Sequence, residues 1–194
     1  MRSSLSCLLF LLVLAASAAA EVGRPDPLFQ SHDTVDVTIS APLTTLVRER
    51  ATEEYLLGSL SYADSDGKVR TFDVKVRARG HSRYEICDLP PLWLNFKKSQ
   101  VKDTLFHKQD KLKLAVHCQD SERYEQTLLR EFMAYRILNL ATPKSFQVRL
   151  LRVTWVDTEG QRDQQIRYAF LLEHKNRLGK RIDRKDLKIE ETSV

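Results

Sequence analysis

The 194-residue sequence has little of what small, cross-linked or fibrous proteins depend on. Three cysteines cannot make a dense disulfide framework, and 6 glycines with 6 prolines exclude collagen-like and low-complexity chains. After the first twenty residues no stretch approaches the ~20 apolar residues of a membrane span. The sequence has no Walker loop, GxSxG, HExxH, GxGxxG or EF-hand pattern. Its 5 histidines show no metal-ligand spacing, so no metal is expected. Charge of one sign is also scarce. The 31 basic residues barely exceed the 26 acidic ones, and they are scattered, so a nucleic-acid partner is not expected. What remains is 42% apolar and 29% charged, the composition of one globular domain with an ordinary core.

The N-terminus reads separately. Arg2 supplies a positive start, residues 8–14 with Phe10 form a short apolar run, and Ala16-Ser17-Ala18 or Ala18-Ala19-Ala20 offers a small-x-small cleavage site. A signal peptide is therefore expected over residues 1–20, and a secreted or periplasmic protein after its removal. Cys7 lies inside the apolar run with no cleavage site ahead of it, which speaks against a lipid anchor. Cys87 and Cys118 are then the only thiols in an oxidising compartment, and a disulfide between them is expected. Closing a loop of about 32 residues is worth roughly 3–4 kcal/mol in the chain-entropy model. The competing reading, a zinc site from His81, Cys87, His117 and Cys118, meets a geometric objection. Neighbours on a strand point to opposite faces, so His117 and Cys118 do not share an ion. A Cys87 nucleophile with a histidine base would be silenced by the same disulfide.

Residues 21–33 carry Pro25 and Pro27 without periodicity and read as an extended lead-in. The domain is expected over residues 34–174. Period-two alternation marks strands at Val35, Val37 and Ile39, over 55–62 and over 69–78, the last two joined by the turn Asp64-Ser65-Asp66-Gly67. Leu92, Leu94 and Phe96 alternate after Pro90-Pro91, which predicts an edge strand, and residues 111–117 follow. The period changes near Asp120. Leu128, Leu129, Phe132, Met133, Ile137 and Leu140 predict one amphipathic helix over 122–140, with Asp120 or Ser121 as N-cap. Residues 146–157, apolar on both faces, read as a central strand, and 165–173 as its hairpin partner. The expected fold is α+β: a mainly antiparallel sheet with one major helix packed on it. The charged segment 175–194 is expected to be the least stable part, a possible start of a second lobe.

Four segments in order carry a resemblance. Val76-Arg77-Ala78-Arg79-Gly80-His81-Ser82 resembles an R-G-N-S segment, and Lys111-Leu112-Lys113-Leu114 leads to Asp120. Leu129-Arg130-Glu131-Phe132-Met133-Ala134-Tyr135 is similar to a helix opening L-R-(N/E)-x-x-A-Y, and Tyr168-Ala169-Phe170-Leu171-Leu172-Glu173 to a strand Y-x-L-L-V-E. These are features of the CotH kinase family, the spore-coat protein H-like proteins, and the likeness runs over residues 72–182. The resemblance implies an atypical kinase-like small lobe. It implies a nucleotide site from Arg79, Gly80, Ser82, Lys97, Glu131 and Glu173, with ATP and magnesium as cofactors of a complete kinase-like protein. Two departures count against catalysis by this chain alone. The family has P-K-K where this sequence has Leu89-Pro90-Pro91, so that Lys97 or Lys98 would have to serve from the other end of the strand. Its N-T-D-x-x-x-N-like catalytic segment, expected beyond the closing hairpin, has no counterpart before Val194. No catalytic residue is therefore assigned.

Each site residue also has a structural reading: Glu131 in a surface ion pair, Arg79 as a solvated strand end, Glu173 as a helix cap. The rival function is a secreted binding or structural module without a nucleotide role, meeting a protein or glycan through a surface containing Trp93, Trp155 and Tyr62.

Overall fold

The computed structural model describes residues 22–49, 54–80 and 83–184. The expected signal peptide, Ser82 and residues 185–194 lie outside the described residues. The elements in chain order are β1 (Val35–Ala41), α1 (Leu43–Glu49), β2 (Leu56–Ala63), β3 (Val69–Ala78), α2 (Arg83–Ile86), β4 (Leu92–Phe96), β5 (Lys111–Val116), α3 (Glu122–Ala141), β6 (Val148–Asp157), β7 (Gln165–Leu172) and α4 (Lys175–Arg181).

The seven strands close into a barrel in the order β1-β2-β3-β4-β5-β7-β6. This corrects the expectation of a helix-on-sheet α+β fold resembling a kinase-like small lobe. The strands stand where alternation placed them, but β1 pairs with β6 in parallel, from Val35 opposite Leu151 to Ala41 opposite Asp157. That single pairing joins the two edges an open sheet would have kept. The other six pairings are antiparallel. β4 is likewise not an edge strand, since it bonds β3 on one side and β5 on the other. Pro90 and Pro91 precede the ladder, where their missing N–H groups cost it no bond, and the Pro91 carbonyl accepts from the Arg79 amide at 2.8 Å.

Inward side chains fill the barrel: Ile39, Leu60, Val76, Leu92, Leu94, Leu112, Leu114, Leu151 and Leu171 are all fully buried. At one end the lead-in turns inward, so that Leu28 and Phe29 of a 3-10 turn join this interior. The 97–110 connection adds Val101 and Phe106, the latter ringed by Tyr62, Phe72 and Phe96. At the other end, α1 buries Leu43 and Leu46. Cys87, before β4, is disulfide-bonded there to Cys118, after β5, with Cα atoms 4.5 Å apart.

α3 lies outside the barrel against β5, β6 and β7. Leu128, Phe132 and Tyr135 pack on Phe170, Val148 and Leu150, the outward residues of that wall. The predicted stripe is rotated: Met133, Ile137 and Leu140 are exposed instead. Ser121 is the N-cap, while Asp120 is engaged elsewhere, accepting from Arg167 and Gln165. No helix among the described residues is long and apolar enough to cross a membrane.

Candidate functional site

The outward residues of β3, β4 and β5 form a second wall. Alternation puts Phe72, Val74 and Val76 inside, so Lys75 and Arg77 face out; by the same rule Trp93 faces out from β4, and Lys111 and Lys113 from β5. Register then sets Arg77, Trp93 and Lys113 in one row across the three strands. Arg79, just past the end of β3, places its guanidinium 5.6 Å from the centre of the Trp93 ring, and the Lys113 ammonium lies 5.5 Å from it. His174 stands 6.4 Å from the same ring, centre to centre. Trp93 is thus bracketed by two cations and an imidazole.

The electrostatics of this cluster are unfavourable to its own charges. Burial, with Arg83 adding repulsion, holds Arg79 below the ordinary arginine range, although Glu131 and Tyr135 work the other way. Lys113 is pushed down by burial and then by Arg79 and Lys175. His174 is pushed down by burial, Lys113 and Lys175. Its Nδ1 accepts from the Asn176 amide at 3.2 Å, capping α4, which fits a neutral ring with the proton on Nε2. Among the described residues neither Arg79 nor Lys113 has a carboxylate ion pair. Beyond His174 the basic surface continues into a cleft of about 380 Å³ bordered by Lys98, Lys108, Lys111 and Lys180, with Asp110 as its acidic member.

The residues singled out from the sequence separate into groups. Arg79 and Glu131 come near one another, but the ion pair of Glu131 is with Arg83, at 3.8 Å. Gly80 is exposed and takes φ of 118°, a backbone region glycine favours, in keeping with a turn after Arg79. Lys97 follows the far end of β4, six positions beyond Pro91 and so about 20 Å along the strand direction from Arg79. It sits 3.8 Å from Asp73. Glu173 is buried and bonded to the equally buried Arg181 through both carboxylate oxygens, at 3.0 and 2.8 Å, and it also accepts from the Gln147 amide. That arrangement anchors α4 to the start of β6. Lys97 and Glu131 therefore do not form the lysine–glutamate pair that would hold a nucleotide's phosphates. Of the three aromatic residues of the binding-surface reading, Trp155 and Tyr62 point inward and only Trp93 reaches the outer wall.

Lys113 and His174 have no site role in the sequence reading, although their signal is present. Lys111 and Lys113 occupy the polar phase of an alternating strand, as do Lys75 and Arg77, and a reading of which strands neighbour which would have assembled them. Among the described residues no three His, Cys, Asp or Glu side chains converge in a metal-holding group. No family model matches the chain, and neither a curated protein nor a solved structure does.

Proposed function

We propose that the protein is a secreted, non-enzymatic binding module that holds an acidic polysaccharide along the outer wall of β3, β4 and β5. The observation that carries this reading is the crowding of Arg79 and Lys113 around Trp93. Cations held close together, partly buried and without carboxylate partners disfavour the free protein and favour any state in which an anion lies among them. The basic cleft beyond His174 extends the track, matching a ligand with repeated negative charge rather than a single one. Trp93 already stacks its ring against cations, so it offers no free platform for a nucleic-acid base. The N-terminal leader pattern and the Cys87–Cys118 bond support an extracytoplasmic setting.

Titration of the chain lacking residues 1–20 with heparin and with polygalacturonate, at several salt concentrations, tests the reading. Binding that weakens as salt rises is expected. Arg79→Met and Lys113→Met should each weaken it about fivefold, from ~1 kcal/mol per cation at an anionic surface. Absence of binding to either polymer, or a stronger preference for single-stranded DNA, contradicts it.

A further inference from the structure

The outer face of α3 changes character half-way along the helix. Its first half carries Glu122, Arg123, Gln126, Thr127 and Arg130, all exposed, as expected of a solvated face. Its second half carries Met133, Ala134, Ile137, Leu138, Leu140 and Ala141, also exposed and all apolar. Met133, Ile137, Leu138 and Leu140 keep 58, 64, 48 and 84% of their surface in water. Their spacing sets them on one side of the helix, along the line that Arg130 begins. Phe132 and Tyr135 meanwhile pack on the barrel from the inner side. Apolar residues thus occupy both sides of this half, the pattern of a helix that is covered on both.

The surroundings of this ridge are positive. Between Glu131 and Asp157 the sequence has no acidic residue. Arg130 and Lys144 bracket the ridge, both exposed and, among the described residues, without a carboxylate partner. Glu131, next to Arg130, pairs with Arg83 instead. Arg136, on the flank, bonds to Asn139 at 3.4 Å. The dimensions decide between kinds of partner. From Met133 to Leu140 the ridge runs about 10 Å, and its six residues fall well short of the roughly 20–30 a side of a stable protein interface. A lipid surface asks for no matching shape. It takes apolar side chains at the acyl boundary while flanking cations stay among the headgroups, and a border with cations and no acids suits anionic ones.

We propose that α3 docks the protein on an anionic lipid surface, with Met133, Ile137, Leu138 and Leu140 entering the acyl boundary and Arg130 and Lys144 meeting the headgroups. Polysaccharide binding on the other wall is not required for it. The chain lacking residues 1–20 is sedimented with vesicles of phosphatidylcholine alone and of phosphatidylcholine with phosphatidylglycerol. Binding to the mixed vesicles, and much weaker binding to phosphatidylcholine alone, is expected. Ile137→Gln with Leu140→Gln should weaken it about thirtyfold, the scale of two apolar side chains left in water. Glutamine is a good helix former and both positions are exposed, so folding is not at stake. Lys144→Gln should weaken it about fivefold. In a Trp93→Phe background, which leaves only the buried Trp155, the emission of Leu140→Trp should be quenched by lipids brominated along their acyl chains. No binding to the mixed vesicles overturns the proposal. So does binding undiminished by the paired glutamines, which would assign the attraction to the basic wall. A parent that sediments as a dimer without lipid, and a glutamine variant that does not, would give the ridge to a second copy and also overturn it.

Discussion

The two outer walls of the barrel rest on the same apolar interior and end in opposite ways. On β5, β7 and β6 the outward residues Ala115, Phe170, Leu172, Val148 and Leu150 are apolar, and α3 covers them through Leu128, Phe132 and Tyr135. On β3, β4 and β5 the outward positions hold Lys75, Arg77, Trp93, Lys111 and Lys113 together with Asp73 and Asn95, and Lys75 and Lys111 are exposed to solvent. β5 belongs to both walls, with Ala115 under the helix and Lys113 beside Trp93. The contrast separates two uses of a strand's outer face. Apolar residues there gain stability by acquiring a layer, whereas Arg79 and Lys113 beside Trp93 are held below their ordinary ranges, chiefly by burial, and it is this pair on which the proposed binding of an anion rests.

The largest effect is expected on the covered wall. Phe170→Ala removes the ring that Phe132 and Tyr135 contact and should cost about 3–5 kcal/mol, read as a lower urea midpoint with unchanged slope. Cys87→Ala with Cys118→Ala should cost roughly 3 kcal/mol, because the denatured chain regains the freedom of the closed loop. On the basic wall the sign reverses. Lys113→Met keeps the aliphatic stem and removes a charge the fold holds at a disadvantage, so unfolding should show a change within about 0.5 kcal/mol of zero or a small gain. The smallest effect is that of pH. His117 and His174 are both held below the ordinary histidine value of 6.5, chiefly by burial, so the unfolded chain takes up protons first as pH falls. Their contribution is fully present above pH 6.5 and is lost as pH falls through the folded values, lowering the urea midpoint at acid pH. Polysaccharide affinity should move the other way, since a protonated His174 adds charge to the wall.

Local pattern carried most of the elements. The strands, the Asp64–Gly67 turn and the long helix follow from alternation, a loop-favouring pair and a change of period, all readable within ten or twenty residues. Closure of the barrel was not readable in that way, because it depends on Val35 meeting Leu151, and nothing near either residue distinguishes an edge from a paired strand. α1 was missed for a related reason. Its first turn is capped by Asp157, whose carboxylate accepts from the Leu43 amide at 2.9 Å and the Thr44 hydroxyl at 2.7 Å across 114 and 113 positions of sequence. Glu173 directly follows a strand that alternation placed well, but its bidentate bond to Arg181 from α4 is a tertiary contact that no local pattern shows. The basic wall was hidden for the same reason as the barrel, since its residues come from three strands whose neighbours are set by non-local pairing.

Under the proposed function, Arg79 and Lys113 are retained for a ligand rather than for the fold. Thermal unfolding of the chain lacking residues 1–20 and of its Arg79→Met/Lys113→Met double variant, each with and without polygalacturonate, tests this directly. The account predicts that the double variant melts at or above the parent's temperature in the absence of polymer, and that only the parent gains on its addition. A double variant that melts well below the parent without polymer, or gains as much as the parent with it, contradicts the claim.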